Sequence, residues 1–398
     1  MALDFAFSEE HLMIQDSMRK CLEPFKGRRE ELVKMVLKDK IFPQEVWDAI
    51  CSTGLMGCVI PEEYGGNDMG LLATTIGLET LATMGFGNAL FVLTTMDASC
   101  ILRNGSEEMK RRYLPKMASG EMKFGFALTE PDAGSNAFRI QTLAKKDGDD
   151  YLITGQKVFI TGADVADRLL LVCRTTSRKQ CEEQGLPKAF GLALFILDPK
   201  LPGIDLKPIP TRGIEGMTQY TVYMDDVRVP ATELVGEPDM GSMALFNSLN
   251  PERILAAATA CGMTQNCLDK AVSYAKERTV FKDRPIGAYQ AISHPLAKVR
   301  IELDAVRLLT YRAAWAFDQG EHPGQVGTYA NMAKYKAGEM AIEAVDRAIQ
   351  TLGGYGFSEE YGIIHYYESA RLLRTAPITA EMILNFVSEH ELGLPRSY

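Results

Sequence analysis

Phe126-Ala-Leu-Thr-Glu-Pro-Asp-Ala-Gly-Ser-Asn136 passes from a β-prone run into a loop of small residues with several free backbone N–H groups. A loop carrying Thr129, Gly134 and Ser135 can hydrogen-bond an anionic or heteroaromatic ligand, although small residues after a strand also make an ordinary turn. Farther on, Gly155-Gln-Lys-Val-Phe-Ile-Thr161 reads as a strand whose alternation sets an aromatic ring, Phe159, and a hydroxyl, Thr161, on one face. Around these two stretches the hydrophobic period is two. β-Rich runs at 124–128, 151–160, 169–173, 190–197 and 220–229 are separated by Gly, Pro and Asp, which predicts a middle β domain over 122–237.

On both sides the period lengthens to three and four. Leu12, Ile14 and Met18, then Val46, Ile50 and Leu55, predict an N-terminal α-helical domain over 1–121, with Ile60-Pro-Glu-Glu-Tyr-Gly-Gly66 as a turn. A helix starting after Gly70 can run to about Met84, with Gly77 as its interior weak point. From 238 to 398 the pattern is helical again, with Ala-rich stretches at 256–260 and 333–348 that suit closely approaching helices. The fold class expected is α+β, mainly α.

Composition narrows the function. The chain has 398 residues, long enough for several cores, so a stapled mini-scaffold is excluded. Its 43 basic and 52 acidic side chains give a net charge of −9, which argues against a nucleic-acid partner. No apolar window approaches the roughly 18 to 20 residues of a membrane span, and no basic segment precedes an apolar run at the start. A cytoplasmic protein is expected, or a mitochondrial matrix protein after processing. The eight cysteines lack C-x-x-C spacing and the five histidines lack H-x(3–5)-H spacing, so no zinc site is expected.

In combination, T-E-P-x-A-G-S followed by G-x-K-x-[aromatic]-I-T resembles the acyl-CoA dehydrogenase family. The likeness extends over nearly the whole chain, through Ile60 to Gly66, Gly213-Ile214, Val222 to Pro230, Lys276-Glu-Arg-Thr-Val-Phe281 with Gln290, and Gln350-Thr-Leu-Gly-Gly-Tyr-Gly-Phe357. The resemblance implies a helical N-terminal domain, a β-barrel or sandwich in the middle and a C-terminal four-helix bundle. It also implies FAD, an acyl-CoA substrate, an electron-transfer flavoprotein as acceptor, and a homotetramer built as a dimer of dimers. On the matching positions, Phe126, Leu128 and Thr129 would contact the flavin, and Gly134 and Ser135 the pyrophosphate or the CoA chain. Phe159 would stack on the isoalloxazine where relatives commonly carry Trp, and Thr161 would lie near N5. Arg278, Phe281, Gln290, Gln350, Gly353 and Gly354 would reach across a subunit interface to the diphosphate and adenine. Thr379 and Glu381 would complete the flavin site.

The base is displaced. Dehydrogenation of a thioester needs a carboxylate at the α-carbon, a hydride acceptor at the β-carbon and donors on the thioester oxygen. The family's usual glutamate lies in an E-G-T segment near the C-terminus. The matching stretch here, Arg371-Leu-Leu-Arg-Thr-Ala-Pro-Ile-Thr-Ala-Glu381, puts Pro377 at that glutamate and leaves Ala376 beside the cavity. Pro377 also lacks the N–H that commonly supports the thioester oxygen. An isovaleryl-type and long-chain-type subset carries its glutamate in an E-R pair instead, and Asn250-Pro-Glu-Arg253 supplies one.

Glu252 is therefore the candidate base, shielded by Leu249, Ile254 and Leu255, with Arg253 positioning the substrate's CoA part. Asn-Pro-Glu is equally a good helix start, which is the structural alternative. Asp97, inside an otherwise apolar helix, is a second candidate acid that would suit hydrogens farther from the thioester, or pair with a polar acyl tail, or be bonded within the core. The reaction expected is oxidation of a short, branched or cyclic acyl-CoA. The alternatives are an enoyl-CoA reductase, a 1,4-dehydrogenase of a cyclic enoyl-CoA, an oxidase, and a catalytically silent CoA-binding protein.

Overall fold

A computed structural model describes residues 6–214 and 217–397. Helices α1 (Glu9–Leu22), α2 (Arg29–Val33), α3 (Gln44–Cys51), α4 (Gly70–Thr83), α5 (Ala89–Asn104) and α6 (Glu107–Ala118) form the first third. Ser8, Asn88 and Ser106 accept N–H bonds at the starts of α1, α5 and α6, which fixes where those helices begin. Trp47 is the anchor of this layer. Its ring stacks on Phe91 at 4.4 Å and its indole N–H donates to the Gly120 carbonyl. Gly77 lies where an added Cβ would come within 2.3 Å of Leu55, so this apparent weak point is a place of close packing.

Eight strands follow and join in one sheet: β1 (Phe124–Ala127), β2 (Leu143–Asp147), β3 (Asp150–Thr161), β4 (Arg168–Arg174), β5 (Leu192–Leu197), β6 (Ile204–Ile209), β7 (Gln219–Pro230) and β8 (Leu234–Val235). The order is β6-β7-β3-β2-β4-β5-β8, with β1 added in parallel to β4. The short helix α7 (Arg178–Glu183) lies between β4 and β5 and starts on a capping box at Ser177 and Gln180. β2 and β6 are strands beyond the apolar runs that the sequence predicts.

The last part is helical, with α8 (Gly241–Glu277), α9 (Gln290–Asp318), α10 (Pro323–Leu352), α11 (His365–Leu372) and α12 (Ala380–His390). A two-stranded ribbon, β9 (Thr279–Val280) with β10 (Arg284–Pro285), projects between α8 and α9. The Ala-rich stretches do what small residues permit: α8 and α10 lie against each other, and Ala257, Ala260, Ala333, Ala337, Ala341 and Ala344 are buried between them and their neighbours. One observation changes a sequence expectation. Asn250-Pro251-Glu252 is not a helix start, because α8 begins at Gly241 and runs through Pro251 as a single helix of 37 residues.

α8 is also the strut that connects the layers. It packs on α4 and α5 of the first third as well as on α9 and α10. No helix among the described residues is long and apolar enough to cross a membrane.

Candidate active site

The two motifs that open the sequence reading are bolted together by a buried ion pair. Lys157 of β3 is fully enclosed, and its ammonium donates to the Leu128 carbonyl at 2.9 Å and to Glu130 at 2.7 Å. The same Glu130 carboxylate accepts the N–H groups of Gln141 and Thr142. Burial pushes Glu130 up, and the Lys157 charge and these hydrogen bonds more than offset it, leaving the carboxyl below its ordinary range. Val158 then donates its N–H to the Thr129 carbonyl. The loop from Leu128 to Thr142 is thus fixed at both ends, while Gly134 and Ser135 on its outer turn stay exposed.

Strand β3 does not keep strict alternation at its end. Its register against β7 slips between Lys157 and Ile160, and Phe159 adopts a φ of 58°, the mark of a bulge. Phe159 is turned outward by it and is 58% exposed. Thr161 is half-buried, and its hydroxyl accepts from the Gln219 side chain at 2.8 Å, which leaves the hydroxyl proton free to donate elsewhere. Phe126 and Leu128 pack with Leu249 of α8 over one core.

That contact leads to Glu252. Ile254 and Leu255 beside it in the chain are completely buried, while Leu249 and Glu252 itself are half-buried. The Glu252 carboxylate forms no hydrogen bond with any described residue. Burial raises its pKa to about 7, against the opposing charges of Arg253 and Lys334. The Arg253 guanidinium donates to Asn250 Oδ1 at 3.1 Å, and Asn250 in turn donates to the Pro323 carbonyl, so the Asn250–Arg253 turn is tied to the start of α10.

Asp97 faces the same place. Helices α5 and α8 pack on each other, and the Cys100 thiol meets Ser248. One turn back along α5 is Asp97 and one turn forward along α8 is Glu252. Asp97 is fully buried, and neither carboxyl oxygen has a hydrogen-bond partner among the described residues. Burial lifts its pKa well above the ordinary value, and the Glu252 charge adds to the effect. Asp97 is therefore the more weakly acidic of the two by virtue of its burial, and Glu252 is poised to change charge near pH 7.

The C-terminal loop comes to this site from the far side. Ala376 and Ile378 are half-buried, Pro377 is exposed, and Thr379 caps α12 through the Met382 N–H with Glu381 in its first turn. Lys334 of α10, 2% exposed, donates its ammonium to the Ile378 carbonyl. Sequence reasoning passed over Lys334, Glu130 and Lys157. The available signal for Lys334 was its place in the seam Gly327, Ala330, Lys334, Gly338, where every other residue is small. Arg278, Phe281, Gln290, Gln350, Gly353 and Gly354 are all exposed on the chain, at the ribbon and at the end of α10, away from this enclosure.

The residues present fit a flat heteroaromatic cofactor with a phosphate tail. An exposed aromatic face at Phe159, a free hydroxyl proton at Thr161 and space around Gly134, where an added Cβ meets nothing within 4 Å, supply stacking, donation and close backbone approach.

Comparison with known proteins gives one picture. Profiles of the acyl-CoA dehydrogenase N-terminal, middle and C-terminal domains match residues 8–121, 125–227 and 239–392. The chain is 42% identical over 355 residues to acyl-CoA dehydrogenase FadE12 of Mycobacterium tuberculosis, which covers 89% of each protein. It is 33% identical over 379 residues to a 3-(aryl)acrylate reductase of Clostridium sporogenes, 94% of this chain and 97% of that one. Among solved structures, it matches a glutaryl-CoA dehydrogenase in complex with glutaryl-CoA with a TM-score of 0.90 and 32% identity, over 99% of this chain and 98% of the other.

Proposed function

This chain belongs to the acyl-CoA dehydrogenase family, FAD-dependent oxidoreductases of CH–CH bonds, and from that premise we propose that Glu252 is the base that removes the α-proton of its acyl-CoA substrate. The observation that carries the proposal is the carboxylate itself: half-buried between α5 and α10, bonded to nothing among the described residues, and poised near pH 7. A general base works best when its pKa lies near the operating pH.

In the reaction, the Glu252 carboxylate takes the α-proton and becomes a carboxylic acid. The electron pair of that C–H bond forms the new C=C bond as hydride leaves the β-carbon. FAD supplies the hydride acceptor. Phe126, Leu128, Thr129, Phe159 and Thr161 hold the flavin ring, Gly134 and Ser135 its pyrophosphate or the CoA chain, and Thr379 and Glu381 adjoin it. Arg278, Phe281, Gln290, Gln350, Gly353 and Gly354 serve the dinucleotide of a neighbouring subunit. Leu249, Arg253 and Ala376 line the substrate side. The Ile378 N–H makes no hydrogen bond to another described residue, and it takes the place of the donor that Pro377 lacks. An oxyanion donor of this kind contributes on the order of 3 to 4 kcal/mol to the transition state.

The substrate class that suits this site is a short, branched or cyclic acyl-CoA, since Ala376 stands where the family carries a bulkier side chain. Electrons then pass to an electron-transfer flavoprotein, and the assembly is a homotetramer in the cytoplasm. A second reading, removal of hydrogens from a cyclic enoyl-CoA in the 1,4 sense, is favoured by Asp97, a fully buried second acid near Glu252 with neither oxygen bonded to a described residue. The likeness to a 3-(aryl)acrylate reductase supports the reverse direction on the same residues.

The test is anaerobic titration of the flavoprotein with a panel of straight, branched and cyclic acyl-CoAs, read as bleaching of the flavin. The wild type bleaches and Glu252→Gln does not. Bleaching of both by the same acyl-CoA removes Glu252 as the base.

A further inference from the structure

We propose that Lys334 is the positioning residue of this site: anchored on the Ile378 carbonyl, it sets a positive charge beside the Glu252 carboxylate and couples the loop that lost a base to the helix that carries one. The inference deepens the reading of Glu252 as the base, but the coupling it asserts is a property of the protein without substrate.

The argument begins with how α10 receives the loop. At Gly338 an added Cβ would lie 2.7 Å from the Leu373 carbonyl, so the backbone of α10 touches the loop there. Lys334 is one turn earlier on the same face, and its ammonium ends on Ile378. Two turns before it, Gly327 faces the Asn250 side chain, 3.4 Å from where a Cβ would be. A single face of α10 therefore touches α8 at Asn250 and the C-terminal loop at Leu373 and Ile378, with Lys334 between. The cation is nearly inaccessible to water, where an unpaired ammonium is costly. Its one hydrogen bond is to a neutral carbonyl, so its charge is balanced only through space.

The groups around Glu252 are few. From α8 comes Arg253, from α10 Lys334, and from α5 Asp97, whose acidity burial weakens; beyond Lys334, on α12, is Glu381. Burial pulls Lys334 down to about 8, Arg253 adds to this, and Glu252 and Glu381 oppose it. Both groups are drawn by burial toward neutrality, and the charge of each favours the charged form of the other. Arg253 is held by Asn250 within its own helix, whereas Lys334 alone connects the charge to the loop bearing Ala376, Pro377 and Ile378.

The experiment titrates Glu252 directly. The infrared band of its protonated carboxyl, identified as the one that Glu252→Gln removes, is followed across the neutral range in the flavin-loaded protein. Lys334→Met is expected to raise the Glu252 midpoint by about one pH unit, a tenfold tighter hold on the proton. Lys334→Gln keeps a donor for the Ile378 carbonyl and loses only the charge, so it guards against a Met variant that fails to fold and should give the same shift. Lys334→Arg should restore the wild-type midpoint. A midpoint unchanged in folded Lys334→Gln or Lys334→Met makes Lys334 a structural tie and overturns the proposal. That outcome is separate from the fate of Glu252 as base, which the bleaching of Glu252→Gln decides.

Discussion

Glu252 and Asp97 are both carboxyls in low-dielectric surroundings, yet they titrate differently because only Glu252 has cations beside it. The consequence for Glu252 is kinetic. If it is the base, it must be ionised, so kcat/KM for a bleaching acyl-CoA should rise with pH through about 7, where an ordinary glutamate would give a limb near 4.3. A pH profile of stopped-flow flavin reduction checks this, and a limb below pH 5 would assign the proton to another group. The consequence for Asp97 is thermodynamic. The folded chain holds this proton more tightly than the unfolded chain, which releases it near pH 4, so the native state weakens as pH rises above that value. Asp97→Asn removes the titration, and its melting temperature should gain on the wild type as pH rises from about 4. A constant difference between the two melting curves over that range would mean that Asp97 is ionised in the folded protein. Of the two acids, the sequence made Glu252 legible because Pro377 removed its rival. Asp97 stood out as an acid in an apolar helix, but its partnership with Glu252 depends on α5 and α8 packing, which no local pattern reveals. Lys334 escaped notice because a helical lysine is ordinarily a solvated one.

Among the elements, β3 and its loop carry the best test of what holds the site. Glu130 and Lys157 lie in different motifs, and their ion pair has almost no access to solvent. Removing one partner leaves an uncompensated buried charge, so Lys157→Met should cost about 3 to 5 kcal/mol, read as a lower denaturant midpoint at unchanged slope. Replacing both, as Glu130→Leu with Lys157→Met, should recover only part of the loss. The N–H groups of Gln141 and Thr142 would still lack their acceptor. A double variant as stable as the wild type would show that the pair is dispensable for folding. The same comparison explains which strands could be read in advance. β4 and β5 are buried almost throughout and announce themselves as apolar runs. β2 is Leu-Ala-Lys-Lys-Asp with three exposed positions and is a strand because neighbours pair with it, whereas β6 is an edge strand whose short Ile-Asp-Leu-Lys alternation is cut off by Pro208. Helix α8 shows the opposite failure. Pro251 reads as a first-turn proline, yet packing against α4, α5 and α10 keeps the helix continuous through it.

At the scale of the whole molecule, the chain presents apolar surface that a solitary subunit has no use for. Phe281 is 82% exposed at the tip of the β9–β10 ribbon, where Phe281, Lys282 and Asp283 all have positive φ. Phe357 is 67% exposed at the end of α10, next to Tyr355 and the open Gly353-Gly354 pair. Ordinary residues seldom take positive φ three times in succession, and large aromatic rings seldom stay in water without a partner. Both features are explained together if the ribbon and the α10 terminus meet another copy and its cofactor, as the proposed dimer of dimers requires. Phe281→Ser should then leave each chain folded, since the ring contributes little to its own core, while weakening both assembly and flavin retention. Light scattering on eluting protein would show a shift to smaller species, and the ratio of flavin to protein absorbance would fall with it. The two readouts must move together, because a residue at a shared cofactor site cannot lose the partner and keep the ligand. A variant that stays fully assembled and fully yellow would place the ribbon outside the interface, and with it Arg278 at the end of α8 and Gln290 at the start of α9, which flank the ribbon.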